Sequence, residues 1–217
     1  MGRKPAQILH TVGHSNQSAE DFVRILRAHG VSAVADVRSV PYARYCPWFN
    51  TDQVAALLRA EGIEYVFLGR ELGARPEDPA CYRDGRVDLA RLPEREAFQQ
   101  GLERVLRELT ARRICLMCSE ADPMLCHRAI VICRALRGRG FGIRHILPGG
   151  GTEEHEELER RLVKSLGLGP TLFEPDIPME TLIERAYDEQ AARIAYAPAE
   201  EDAEAKEAAA SLWPSGS

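Results

Sequence analysis

The densest chemistry in this chain lies in one run, Cys118-Ser119-Glu120-Ala121-Asp122-Pro123-Met124-Leu125-Cys126-His127-Arg128. Its side chains can supply a nucleophile (Cys126), a general base (Glu120), a proton carrier (His127), an anion clamp (Arg128) or soft metal ligands. The run joins the end of an expected strand, RRICLMC, to the start of an expected helix, CHRAIVICRALRGRG. A helix start favours negative charge, so Cys126 is expected to ionise more readily than Cys118, which has Glu120 and Asp122 nearby. Cys115 and Cys118 form a CxxC, but on a strand they point to opposite faces, which excludes a thioredoxin-type pair. Three roles stay open for the cysteines: nucleophile, metal ligand, or packing. Zinc would need Cys118, Cys126 and His127 with a fourth group such as Cys46 or His14, and the spacing matches no common zinc template.

Other polar signatures each follow an apolar run. GHSN follows QILHTV, Asp36 and Arg38 close VSAVADV, Glu71 follows IEYVFL, and the cysteine run follows RRICLM. In GHSN, Gly13 lets backbone N–H groups approach a ligand, while His14 and Ser15 add a titratable ring and a hydroxyl close to the next helix start. Asp36 and Arg38, two apart on an extended chain, face the same side. They read either as a buried ion pair or as a functional pair in which Arg38 clamps phosphate or carboxylate and Asp36 orients it. In PYARYCPWFN, Arg44 lies among Tyr42, Tyr45, Trp48 and Phe49, a run that could stack a nucleobase or form an aromatic minicore.

These groups need elements to position them, and the pattern supplies strand and helix in alternation. After QILHTV comes SAEDFVRILRAHG, with Ser18 and Asp21 as a capping pair and Phe22, Ile25 and Leu26 as its apolar stripe. NTDQVAALLRAEG repeats the plan with Asn50 as cap, and Pro93 is expected to open a helix carrying Phe98, Leu102, Val105, Leu106 and Leu109. GIRHIL is the fifth strand. The class is therefore α/β: a single domain over 7–148 with a mostly parallel five-stranded sheet flanked by helices. Glycines 149 to 151 should hinge into a helical extension over 149–198, packed by Leu158, Leu162, Leu166, Leu182, Ile183 and Tyr187. The stretch between Gly69 and Leu92 is long for a loop and is expected to be a lid or mobile insertion. In an open parallel sheet, ligands bind beyond the carboxyl ends of the strands, where the polar signatures would meet.

TVGHSN, DVRSVPYARYCPWFN, GIEYVFLGRELG and ICLMCSEADPMLCHRAIV resemble the domain-of-unknown-function 488 family, over about Gln7 to Ile146. The resemblance implies an α/β domain with Gly13, His14, Ser15, Asp36, Arg38, Pro41, Leu72, Gly73, Cys118, Glu120, Cys126, His127 and Arg128 on signature positions. Ala43 stands where that family commonly has serine. The resemblance implies a site but no reaction.

The chain has 217 residues, and its formal net charge of -5 is concentrated in the stretch from Ala199, which carries five acids against Lys206 alone. The body is near neutral and argues neither for nor against nucleic acid. That stretch is expected to be a disordered acidic tail over 199–217. No apolar run has the length of a membrane span, which predicts a cytosolic protein with reduced thiols and no membrane partner. The expected function is hydrolysis or group transfer on a small anionic molecule, nucleotide-like or otherwise phosphate-bearing. Arg38, Arg128, Gly13, His14, Ser15 and Gly73 would bind it, with Asp36, Cys118, Glu120, Cys126 and His127 acting on it. GHSN is not a dinucleotide loop, and no particular cofactor is implied. The alternatives are a binding module for nucleotide or nucleic acid, or a metal-stabilised domain.

Overall fold

The computed structural model describes residues 7–198. The acidic tail over 199–217 lies outside the described residues. Strands β1 (Ile8–Gly13), β2 (Ala33–Asp36) and β3 (Glu64–Phe67) alternate with α1 (Ala19–Ala28) and α2 (Thr51–Ala60), followed by a short α3 (Gly69–Leu72). A hairpin of β4 (Tyr82–Arg83) and β5 (Arg86–Val87) precedes α4 (Glu96–Ala111) and β6 (Ile114–Cys118). A π-helical turn, Arg128–Cys133, runs on as α5 (Arg134–Leu136). The chain closes with β7 (Gly142–Ile146), β8 (Thr152–Glu154), α6 (His155–Ser165) and α7 (Met179–Ile194). The main sheet has six strands in the order β3-β2-β6-β1-β7-β8, all parallel except β8.

Each face of the sheet buries its own core. Val12, Val34, Cys115, Met117 and Ile146 meet Phe22, Ile25 and Leu26 of α1 and Val54 and Leu58 of α2. Leu9, Ala35, Leu116, Cys118 and Ile143 meet Phe98, Leu102 and Val105 of α4, Ile130 and Ile132 of the π-helical turn, and Leu162, Leu182, Ile183 and Tyr187 of the last two helices. Full burial of side chains such as Phe22 or Leu26 contributes about 1.5–3 kcal/mol apiece. Strand alternation thus sends Cys115 and Cys118 to opposite cores, as their spacing requires. Among the described residues no helix is long and apolar enough to cross a membrane.

Several local expectations are revised. The sixth strand arises because Pro148–Gly150 make a tight turn, with Gly149 and Gly150 at φ 84 and 95. That turn sends Thr152–Glu154 back along β7 before the helix begins, so the glycines make a hairpin rather than a hinge. Ser18 caps α1 by accepting from the Asp21 N–H, but Asn50 gives its side chain to the Ala43 N–H instead of to α2. Pro93 lies in a 3-10 turn ahead of α4, which starts at Glu96. The segment from Gly69 to Leu92 is built rather than open: it sinks Cys81, Val87, Leu89 and Leu92 into the core, and Val87 N–H donates to the Tyr196 carbonyl at 2.9 Å. A lid here would have to withdraw those side chains.

Inside the second core runs a single file of hydrogen bonds. Arg128 Nε meets Thr11 Oγ1 (3.3 Å), Thr11 meets His145 Nδ1 (2.8 Å), His145 Nε2 meets His155 Nδ1 (2.9 Å), and His155 Nε2 meets the Tyr187 hydroxyl (2.9 Å). Tyr187 then donates to Glu159 Oε1 (2.8 Å), which also accepts from Arg137 (2.7 Å). The ends fix every proton between them. Arginine can only donate and a carboxylate only accept, so each imidazole is neutral, accepting at Nδ1 and donating at Nε2.

That assignment has a measurable consequence. Burial first, then neighbouring charge, holds His145 well below the usual histidine range, and burial lowers His155 as well. On the other face burial, then His29 and Arg144, lowers His10 to about 4. Each depressed ring makes the unfolded chain bind more protons, so its stabilisation is present above about pH 6.5 and is lost as pH falls, for His10 toward 4. Urea unfolding should therefore show lower stability at pH 5 than at pH 7, with His10 alone accounting for on the order of 1 kcal/mol. Equal stability at the two values would show that these rings titrate normally.

Candidate functional site

β1 and β6 are neighbours, with Gly13 opposite Cys118, yet the helices that follow them leave on opposite faces of the sheet. The two loops diverge there and open a crevice, the switch point at which ligands of such sheets bind. The ladder continues past the strand ends, with His14 N–H on the Cys118 carbonyl (2.9 Å) and Ser15 N–H on that of Ser119 (2.8 Å). Any Cβ at residue 13 would overlap the Glu120 carbonyl, so only glycine lets the loops approach this closely. Gly13 therefore serves loop packing.

The thiols converge on one imidazole. Cys118 Sγ donates to Glu120 Oε2 at 3.2 Å and lies 3.7 Å from His127 Nδ1; Cys126 Sγ lies 3.9 Å from that same nitrogen. His127 Nε2 donates to the Val37 carbonyl (3.1 Å), which turns Nδ1 toward the sulfurs. Burial alone would push the Cys126 thiol up, but Cys118 as hydrogen-bond donor, Arg128 and His127 together pull it well below the ordinary range. Cys118 moves the opposite way, raised by its bond to Cys126 and by burial. His127 is raised by Cys126 against its own burial, and Glu120 is raised by burial and by the Cys126 charge. The cluster thus favours the thiolate at Cys126 over that at Cys118, with His127 and Arg128 as the cations beside it. Among the described residues only Cys118, Cys126 and His127 bring three ligand atoms together, all within 4.8 Å. Neither Cys46, in the core of the other face, nor His14 provides a fourth.

Asp36 and Arg38 form a buried, two-pronged ion pair. Arg38 Nε and Nη2 donate to Asp36 at 2.9 and 2.6 Å, and Nη2 also reaches the Phe49 carbonyl (2.8 Å). The remaining Nη1 meets His14 Nε2 at 3.1 Å, and Tyr65 donates its hydroxyl to Asp36 (2.9 Å). His14 Nδ1 donates to the Ser15 carbonyl, so Nε2 is left to accept. Burial, then Arg38, lowers the His14 pKa to about 4, and its ring stacks on Phe49 at 4.3 Å. The ion-pair reading of Asp36 and Arg38 describes this geometry, and His14 is a fixed neutral acceptor behind it.

In front of these groups lies a cavity of about 440 Å³, whose wall includes Arg38, Ser39, Tyr42, Arg44, Arg75, Cys118, Glu120, Cys126, His127 and Tyr196. Of the residues expected to act or bind, Arg38, Cys118, Glu120, Cys126 and His127 reach this wall, while Asp36, Gly13, His14, Ser15, Gly73 and Arg128 stand behind or beside it. Arg128 is wholly buried, holding the carbonyls of Glu120 (2.6 Å) and Ala121 (3.2 Å). Gly73 is packed where a Cβ would strike Ser39 and the Gly69 carbonyl, and Glu71 turns away to Arg104 (2.6 Å). The aromatic run divides: Phe49 is core, Trp48 donates to the Gln17 carbonyl, Tyr42 lines the cavity and Tyr45 faces solvent. Arg75, whose guanidinium lies 3.8 Å over the Tyr196 ring, was not evident as a site residue. Arg75 is one of several arginines in that Gly/Pro-rich stretch and carries no spacing signal of its own, and Tyr196 is far away in sequence.

Removing Arg38 would leave Asp36 charged and buried. Arg38→Ala is expected to lose about 3–5 kcal/mol in urea unfolding, with Asp36→Asn/Arg38→Gln recovering part of it. A loss below about 1 kcal/mol would instead return Arg38 to the role of ligand clamp.

No curated protein and no solved structure matches the chain. A family model, described as Domain of unknown function DUF488, matches residues 18–135. The match takes in DVRS and the whole cysteine run, while GHSN falls just before it. By that match, the chain belongs to the DUF488 family.

Proposed function

We propose that this chain is an enzyme that hydrolyses, or transfers a group from, a small phosphate-bearing anion such as a nucleotide. The observation that carries this reading is a single cavity wall combining cationic Arg44 and Arg75 with Glu120, His127 and a low-pKa thiol. Arginine guanidinium groups match phosphate oxygens, and Tyr42 and Tyr196 offer flat faces for an attached ring system. Glu120, with its pKa raised by burial and by the Cys126 charge, is suited to take a proton during the reaction. Arg38 reaches the wall but is tied to Asp36, and Arg128 acts from behind by shaping the Glu120 loop.

A thermal-shift screen against pyrophosphate, nucleoside phosphates and sugar phosphates, followed by ³¹P detection of turnover, tests this. A stabilising anion should bind about 10–100-fold more weakly to Arg75→Ala, as loss of a charge-assisted hydrogen bond requires. Glu120→Gln should bind it normally and turn it over about 10²–10⁴-fold more slowly. Binding without turnover in the wild type would make the protein a sensor. No stabilisation by any anion would sink the reading altogether.

A further inference from the structure

The sulfurs and imidazole facing the cavity have the dimensions of a coordination shell. Zinc bonds thiolate at about 2.3 Å and imidazole at about 2.0–2.1 Å, so tetrahedral angles put sulfur and nitrogen about 3.6 Å apart. The two sulfur-to-nitrogen separations here are 3.7 and 3.9 Å, close to that spacing. Orientation agrees with distance. A metal-bound histidine ordinarily donates its other N–H to a carbonyl or carboxylate, which holds the ring in place. His127 already does this through Val37.

We propose that Cys118, Cys126 and His127 bind one zinc-class divalent ion, leaving its fourth position open to the cavity. Two sulfurs and an imidazole select a soft or borderline ion over magnesium or calcium. Binding requires both thiols as thiolates and a neutral His127 ring with Nδ1 free to coordinate, and the displaced protons go to solvent. The charges then balance locally: two thiolates and the Glu120 carboxylate face the ion and the buried Arg128 guanidinium. Three protein ligands with one open position is the arrangement of catalytic zinc, since structural zinc sites are closed by four. The open position would hold water, with Glu120 alongside to accept its proton. That last role rests on the hydrolytic reading above; the binding of the ion does not.

The test uses the full chain, expressed with zinc in the medium and purified under reductant. Mass-spectrometric metal analysis should find about one equivalent of zinc. Cys118→Ser and Cys126→Ser should lower occupancy at least about tenfold, while Cys133→Ser, buried outside the cluster, should keep it. Stripped protein titrated with cobalt should develop a thiolate-to-cobalt charge-transfer band and the strong visible bands of a tetrahedral ion. Wild-type protein that carries no stoichiometric metal and gives no such band overturns the site, as does equal loss in Cys133→Ser. If the serine variants do not fold, cobalt titration of the wild type still decides. Stabilisation by phosphate anions without metal would overturn only the metal site, and metal without anion stabilisation only the anion reading.

Discussion

Arg128 is a full positive charge with no solvent exposure, and the region around the crevice is arranged about it. Burying such a group costs several kcal/mol unless its N–H groups and charge are both met. The N–H groups are met by the carbonyls of Glu120 and Ala121 and by Thr11, which sets the path of the loop that carries the candidate base. The charge has no carboxylate hydrogen-bonded to it among the described residues. It is offset through space by the thiols and Glu120, and in turn it favours the Cys126 thiolate. The loop's shape and the thiol's ionisation thus follow from one cation.

From Arg128 the hydrogen-bonded file through Thr11, His145, His155 and Tyr187 reaches Glu159, with each donor pointing the same way. A chain with cation at one end and carboxylate at the other is polarised throughout, and its members strengthen one another in a low dielectric. It also joins parts far apart in sequence: β1, β7, α6 and α7. The last two helices therefore do more than cover apolar surface. They terminate the polar chain that holds the loop after β6, and the chain just past α7 places Tyr196 on the cavity wall. The back of the site is held by buried hydrogen bonds from sheet and helices, and Tyr42, Arg44 and Arg75 at the front come from loops.

How much of this could be read from residues alone follows the range of the physics. Period-two and helical patterns are local, so the five parallel strands and the stripe Phe22, Ile25 and Leu26 were legible, as was the location of polar groups at strand ends. The cysteine run was legible because one loop holds all of it. Burial of polar groups was not, since Asp36 and Arg38 look the same in a sequence whether they clamp a ligand or each other. Arg128 read as an anion clamp for that reason. β8 escaped because it depends on tertiary contact: Thr152–Glu154 is strand only where β7 offers an edge. Arg75 and Tyr196 meet only when the last helix has docked.

The position of the thiols shows how closely register and chemistry are tied. β6 lies between β2 and β1, with Met117 beside Asp36 and Gly13 beside Cys118. Side chains alternate faces, so Met117 enters the core shared with α1 while Cys118 points toward the π-helical turn and meets His127. A slip of one residue along β6 would turn Cys118 to the other face and bring Met117 to the cluster. Gly13 opposes such a slip, because its bare backbone fits against the Glu120 carbonyl only when the β6 loop leaves the sheet at this point. The glycine of GHSN, which looked like a ligand-binding turn, thus acts on the chemistry indirectly. It fixes where the neighbouring loop departs, and so which sulfur faces His127.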